Sequence, residues 1–292
     1  MAELRRRTAS LLRTRAFTVW AVAILAGALL MQTPLRTLIF GDSTLGGFVV
    51  VVDAGHGGEE LGATAPGIVE RDSNLDLAKR VQVLLERRGA RVVLTRPSEN
   101  RPGDDARAGL SGYTATFADL QARVAIANEA HADAFVSIHS NLFGDPNVRG
   151  LQAWYDAQRP FADENRRLAT LCIESVRAAL SIGGYEVPSG GAMDEAGLQD
   201  ASGRDTPLLV LGPERDVLRE ELLDRGADPA SLGLGPGDAS YHTAATSMPG
   251  SLLEILFVSN EADAALLKDD TARSLIAAGI AYGIERFLLE QP

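Results

Sequence analysis

The residues of this chain best suited to chemistry stand at the ends of two strand-like runs. Val49-Val50-Val51-Val52-Asp53-Ala54 is a nearly continuous apolar run that breaks into a glycine turn, Gly55-His56-Gly57-Gly58, carrying one histidine. Phe135-Val136-Ser137-Ile138 ends in the same way at His139, and Glu70 stands between them, just before a helix-like pattern. Two imidazoles and a carboxylate make the donor set of an open zinc site, in which protein groups fill three positions and the fourth is left for water. His56, Glu70 and His139 are therefore the candidate metal ligands, and the chemistry they point to is metal-assisted hydrolysis.

Each of the three has an ordinary explanation when taken alone. His56 could be a surface histidine in a turn, Glu70 a carboxylate favoured by a helix N-terminus, and His139 a hydrogen-bonded core residue. Together they carry more, because the chain has only 4 histidines and two of them terminate separate strand patterns. Of the others, His131 lies at a helix end and His242 in a Ser-Tyr-His-Thr loop. The chain has no His-Glu-x-x-His, no Gly-x-Ser-x-Gly and no Walker Gly-Lys loop. Gly55-x-Gly57 imitates a dinucleotide turn, but the next glycine is displaced to Gly62 and Pro66-Gly67 intervenes before the helix. The single cysteine, Cys172, excludes an intrachain disulfide and reads as a small buried apolar residue.

The elements that must position these groups alternate between strand and helix. Residues 48–53 form a β-branched run expected of a strand covered on both faces. Ser73 and Asp76 resemble a capping box, and Leu75, Ala78, Val81, Leu84 and Leu85 form an apolar helical stripe that Gly89 closes. Strands are expected at 91–95, 134–138, 151–155, 207–211 and 252–256, and helices at 120–130, 161–180, 215–225 and 270–289, with a loop over 97–112. This pattern predicts an α/β fold, a single twisted and mostly parallel sheet of about six strands with helices on both faces. Ligands gather outside the strand ends of such sheets, where His56 and His139 both sit. A Gly- and acid-rich stretch at about 212–245 reads as an insertion into residues 48–292.

A chain of 292 residues with 46% hydrophobic and 23% charged residues is globular in composition. Its net charge of -11 argues against a nucleic-acid partner, since no cationic excess is available to neutralise phosphates. The first 47 residues read differently. Arg5, Arg6, Arg7, Arg13 and Arg15 precede an uncharged apolar run over residues 16–31, followed by a linker. That is a signal peptide, or a membrane anchor if uncleaved, with export of the remainder to the periplasmic or extracellular side.

Six motifs then occur in a recognisable order. They are Asp53-Ala-Gly-His56-Gly-Gly, Gly67-Ile-Val-Glu70-Arg-Asp-Ser-Asn74-Leu, Thr95-Arg96-Pro, Leu120-Gln-Ala-Arg123-Val-Ala-Ile-Ala-Asn128, Ala132-Asp133-Ala-Phe-Val-Ser-Ile-His139-Ser-Asn141 and Leu253-Glu254-Ile-Leu-Phe257-Val-Ser259-Asn260. In that order they resemble the zinc-dependent N-acetylmuramoyl-L-alanine amidases of the amidase_3 family, over residues 48–155 and 247–289. The resemblance implies that His56, Glu70 and His139 bind Zn2+ and that Glu254 is the catalytic carboxylate. It also implies the substrate, the amide bond between N-acetylmuramic acid and L-alanine of the peptidoglycan stem peptide, with a possible activator protein as a further partner.

Asp53 is expected to support the turn, and Arg123 and Asn141 to orient the site or substrate. Two positions depart from the family: Leu256 stands where glycine is common, and Ser140 where alanine is common. Two other functions share these features. A wall-binding regulator would keep the fold without cutting, and a zinc peptidase or deacylase would act on another amide.

Overall fold

The architecture follows from how the β-branched runs and amphipathic stripes bury themselves. It is seen in a computed structural model that describes residues 44–102, 109–196, 198, 208 and 210–290. In chain order the elements are β1 (Val49–Ala54), β2 (Thr64–Ala65), β3 (Ile68–Val69), α1 (Glu70–Arg87), β4 (Arg91–Leu94), α2 (Gly112–Glu129), β5 (Ala134–Asn141), β6 (Leu151–Tyr155), α3 (Ala162–Ile182), β7 (Ser189–Asp194), β8 (Arg215–Leu218), α4 (Arg219–Asp224), β9 (Ser240–Thr243), β10 (Gly250–Phe257), α5 (Glu261–Lys268) and α6 (Asp270–Leu289). Six strands form one sheet in the order β4-β1-β5-β10-β6-β7. Every neighbouring pair is parallel except β10 with β6.

Alternation along the strands sorts the core into two layers. Val50, Val52, Val136, Ile138, Leu253 and Ile255 point to one face and pack with the apolar stripes of α1, α3 and α6. Val51, Phe135 and Leu252 point to the other, where they meet Ala127 of α2 together with Val210, Leu211 and Met248. The four valines of β1 are thus apolar because both of their faces are covered.

Several sequence expectations shift. α1 begins at Glu70 rather than near Ser73; its N-cap, Val69, has no side-chain cap, and Glu70 and Asp72 occupy the first turn instead. α2 starts at Gly112, well before residue 120, because Asp119 and Arg123 are buried among its inward residues and interrupt the apolar stripe. The strand expected at 207–211 is absent among the described residues there: Leu211 and Gly212 both donate to the Leu208 carbonyl in a buried turn. The helix expected over 215–225 is instead β8 followed by the short α4, and His242 belongs to β9, which pairs with β8. Residues 215–241 also carry a small core of their own, Val217, Leu222, Ala227 and Leu234, gathered around Phe117 of α2.

The expected signal or anchor lies outside the described residues, and among the described residues no helix is long and apolar enough to cross a membrane.

Candidate metal centre

Three separate elements deliver the three candidate ligands to one point. β1 ends at Ala54, and the chain turns through Gly55 into His56, whose backbone takes the left-handed value φ 63°. Glu70 is the first residue of α1, and His139 lies near the C-terminal end of β5. Glu70 Oε1 stands 3.1 Å from His56 Nε2 and 3.1 Å from His139 Nδ1. One donor atom from each residue lies within 4.8 Å of the others. The imidazoles meet edge to face, with centroids 4.9 Å apart.

Two glycines make this approach possible. A Cβ on Gly55 would overlap the His139 ring, and a Cβ on Gly62, which has φ 67°, would overlap Glu70 Oε2 and sit 2.6 Å from the His56 ring. The glycine-rich composition of the turn thus serves the close packing of the ligands as well as the turn itself.

The carboxylate of Glu70 is held from several sides. Its Oε1 accepts from the Ser140 backbone N–H at 3.0 Å and from Asn74 Nδ2 at 3.3 Å, and Oε2 accepts from the Ala63 N–H at 2.7 Å. Burial works to raise its pKa, but the hydrogen bonds and charges of His139 and His56 hold it well below the usual carboxylate range. Burial likewise works to lower His56, yet hydrogen bonds to Glu60 and Glu70 push it up to about 9. Glu60 Oε1 lies 3.4 Å from His56 Nδ1, so a carboxylate backs the ring nitrogen that faces away from Glu70.

Glu254 stands directly across the sheet from His139, its register partner on β10. The side chain is half-buried, and its Oε2 is buried without a hydrogen-bond partner. Burial first, and then the Glu70 charge, push its pKa up to about 8. Leu256, two residues on, has φ 69° at an irregularity between Glu254 and Phe257 in the β5–β10 register, and its side chain is fully buried.

A polar layer lies beneath the turn. Asp53 accepts from Thr95 Oγ1, Ser137 Oγ and Arg123, at 2.5, 2.5 and 2.6 Å. Arg123 also donates to the carbonyls of Ala54 and His56, at 2.7 and 2.6 Å. Arg96 donates to the carbonyls of Ala54, Gly55, Arg71 and Ser98. A cavity of about 380 Å³ opens beside His56 and His139, walled by Tyr113, Thr116, Leu208 and Arg225 among others.

The donor set fits a zinc ion. Two imidazole nitrogens and one carboxylate oxygen are the donor types zinc prefers, and one donor atom from each residue lies within 4.8 Å of the others. The unpartnered Glu254 oxygen lies in the same site.

All four residues singled out from sequence therefore gather in one place. His242 is exposed on β9 beside Asp216, and His131 follows the end of α2. Asn141 donates from its amide to Gln152 and accepts from the Leu142 N–H. Cys172 is fully buried, and burial pushes its thiol up to about 12, which makes it inert as a nucleophile. Sequence reasoning missed Glu60 and gave Asn74 and Arg96 no role. The only signal for Glu60 was its place four residues after His56 in the same glycine-rich turn.

The family model of N-acetylmuramoyl-L-alanine amidases, Amidase_3, matches residues 50–199 and 214–286. The chain belongs to the Amidase_3 family. Among relatives of this amidase family member, the germination-specific N-acetylmuramoyl-L-alanine amidase of Bacillus subtilis is 26% identical over 248 residues, covering 85% of this chain and 82% of that one. The amidase AmiC of Neisseria meningitidis is 29% identical, covering 82% of this chain but 52% of its own length. Among solved structures, the CwlD amidase of Clostridioides difficile, in complex with the GerS lipoprotein, shares the fold with a TM-score of 0.59 at 23% identity, covering 84% of this chain and 100% of that one. AmiC2 of Nostoc punctiforme superposes with a TM-score of 0.54 at 25% identity, covering 82% and 97%. The Amidase_3 match breaks between residues 199 and 214 and resumes at 214, within the Gly- and acid-rich stretch.

Proposed function

We propose that this Amidase_3 protein hydrolyses the amide bond between N-acetylmuramic acid and L-alanine in peptidoglycan, with zinc held by His56, Glu70 and His139 and with Glu254 as acid and base. The observation that carries the reading is the buried, unpartnered Oε2 of Glu254, one sheet rung from His139 and beside the clustered ligand atoms. An unpaired carboxylate in such a place is costly unless a substrate or solvent atom uses it.

Zinc, when bound, supplies Lewis acidity to the scissile carbonyl and raises the acidity of water. The chain's own contribution is proton handling. Glu254 Oε2 accepts a proton from the attacking water and returns it to the nitrogen of the departing stem peptide. Burial raises its pKa in the metal-free protein, and a buried carboxyl with an unpartnered oxygen is suited to take a proton and give it back. Glu70 stays ionised throughout, and Glu60 holds the His56 ring from behind.

Retention of all four residues favours an enzyme over a non-cutting regulator, while a peptidase acting on another amide shares the same centre and is separated by substrate. The arginine-flanked apolar run at residues 16–31 supports export to the side where peptidoglycan lies. CwlD, which shares the fold, is solved in complex with the GerS lipoprotein, and a protein partner is part of the present reading.

The test is muropeptide release from purified peptidoglycan followed by mass spectrometry, with Glu254→Gln as the comparison. Intact glycan and free stem peptides beginning in L-alanine are expected from the natural chain. Glu254→Gln is expected to lose activity by roughly 10²–10⁴-fold while retaining its metal. Turnover within a few-fold of the natural chain would remove Glu254 from the reaction.

A further inference from the structure

The Thr95-Arg96-Pro motif does no work in the reaction described above, yet Arg96 is 1% exposed and bonds to the turn that carries His56. Among the described residues, every hydrogen bond its guanidinium donates ends on a main-chain carbonyl. Nε reaches Ala54 O at 2.7 Å, Nη2 reaches Gly55 O at 2.9 Å and Arg71 O at 2.7 Å, and Nη1 reaches Ser98 O at 2.9 Å. The first two carbonyls belong to the turn that carries His56, and the third belongs to the residue after Glu70. One planar group thus ties the backbone just before His56 to the backbone just after Glu70.

That arrangement is expensive and needs a reason. A cation beside the first turn of a helix is disfavoured by the helix dipole, so the contact with Arg71 does not serve α1 itself. Burial of a guanidinium is offset only when its donors are satisfied, and here carbonyls from three segments satisfy them. Asn74 makes a parallel link, its Nδ2 lying 3.3 Å from both Gly55 O and Glu70 Oε1. Arg123 also holds the His56 turn, but from below, against the sheet residue Asp53 and its own helix neighbour Asp119. Arg96 and Asn74 join the turn to α1.

We infer that Arg96, with Asn74 beside it, is a positioning residue that sets the separation between His56 and Glu70, and so tunes how tightly and in what geometry the centre holds its metal. The inference rests on the reading that these two residues ligate a metal. Lysine cannot replace arginine here, because a single ammonium has no planar fork to span three chain segments.

The experiment uses metal alone as the probe. Zinc affinity is measured by competition with a chromophoric chelator, and coordination geometry is read from the visible absorption of the cobalt(II)-substituted protein. Arg96→Lys is expected to bind zinc about 10–100-fold more weakly than the natural chain and to show an altered cobalt spectrum. The control is Ile280→Ala, a cavity in the apolar core of α6, which is expected to lower the melting temperature but leave zinc affinity and the cobalt spectrum unchanged. Asn74→Ala, which introduces no charge, is expected to change both readouts in the same direction by a smaller factor, and it decides the matter if Arg96→Lys does not fold. Zinc affinity and a cobalt spectrum matching the control in the folded variants would overturn the inference while leaving the metal centre standing. A natural chain that takes up neither metal would remove the centre, and the inference with it.

Discussion

At the scale of single residues, the polar groups near the metal centre divide by what each would cost to remove. Asp53 is buried against Arg123, and burial alone would raise its pKa. The Arg123 charge and the Ser137 and Thr95 hydroxyls outweigh that and hold it below the usual value. A carboxyl lowered in this way contributes stability that is present above its unfolded pKa and lost as pH falls through the folded one. Asp53→Asn leaves Arg123 buried with a partner missing, a loss of about 3–5 kcal/mol. It should appear as a lower urea midpoint at pH 7 and a flatter acid limb of the stability curve.

His56 has the opposite sign. Its metal-free pKa of about 9 means the imidazole is charged at neutral pH and must shed its proton to bind zinc. Zinc uptake at pH 7 is therefore expected to release protons, seen as a buffer-dependent calorimetric enthalpy, and apparent affinity should climb with pH until about 9. Affinity flat between pH 6 and 9 would contradict the pairing of His56 with Glu60 and Glu70.

Leu256 is a contest between two terms. Its left-handed backbone costs about 1–2 kcal/mol relative to glycine, whereas truncating a fully buried leucine costs about 2–5 kcal/mol. Packing wins, so Leu256→Gly is expected to lower stability even though glycine is common at this position in the family.

At the scale of elements, the helices beneath the sheet pack more closely than their apolar stripes alone would require. In α6, a Cβ at Gly279 would lie 2.5 Å from Val176 Cα, and one at Gly283 would lie 2.5 Å from Cys172 Cα, so α6 and α3 meet backbone to backbone. Gly283→Ala improves helix propensity but overpacks this contact, at about 1–3 kcal/mol. Thermal melts should show a net loss; a gain in melting temperature would mean that the two helices separate without cost.

Elements were legible in the sequence where one physical signal governed them. The valines of β1, the stripe of α1 and the spacing of α6 carried their own period. α2 was legible only in part, because Asp119 and Arg123 sit on its buried face and the further partners of Arg123, Asp53 and the turn carbonyls, are remote in sequence. Leu208, Val210 and Leu211 looked like part of a strand because buried turns and buried strands are equally apolar. The cluster of candidate ligands was legible because histidines at strand ends and a carboxylate before a helix keep a local signature. Arg96 and Asn74 were not, since what they touch is backbone, and a carbonyl leaves no trace in composition.

At the scale of the whole molecule, residues 215–241 are fastened to the body through Phe117, which packs in their small core with Val217 and Leu222 and meets Tyr241 edge to face at 5.1 Å. Phe117→Ala removes that anchor, at about 3–5 kcal/mol locally. Limited proteolysis should then cut within residues 213–245 while zinc binding by the remainder survives. Arg225 and Tyr113 line the cavity beside His56, so loosening of this segment should also change which muropeptides are cut. The sheet is indifferent to such changes. Glu254 and His139 are register partners on adjacent parallel strands, so their backbones are held a ladder spacing of about 4.7–4.9 Å apart. The outer segment at residues 215–241, with its own small core, can therefore vary without moving the strand rung that sets Glu254 beside His139.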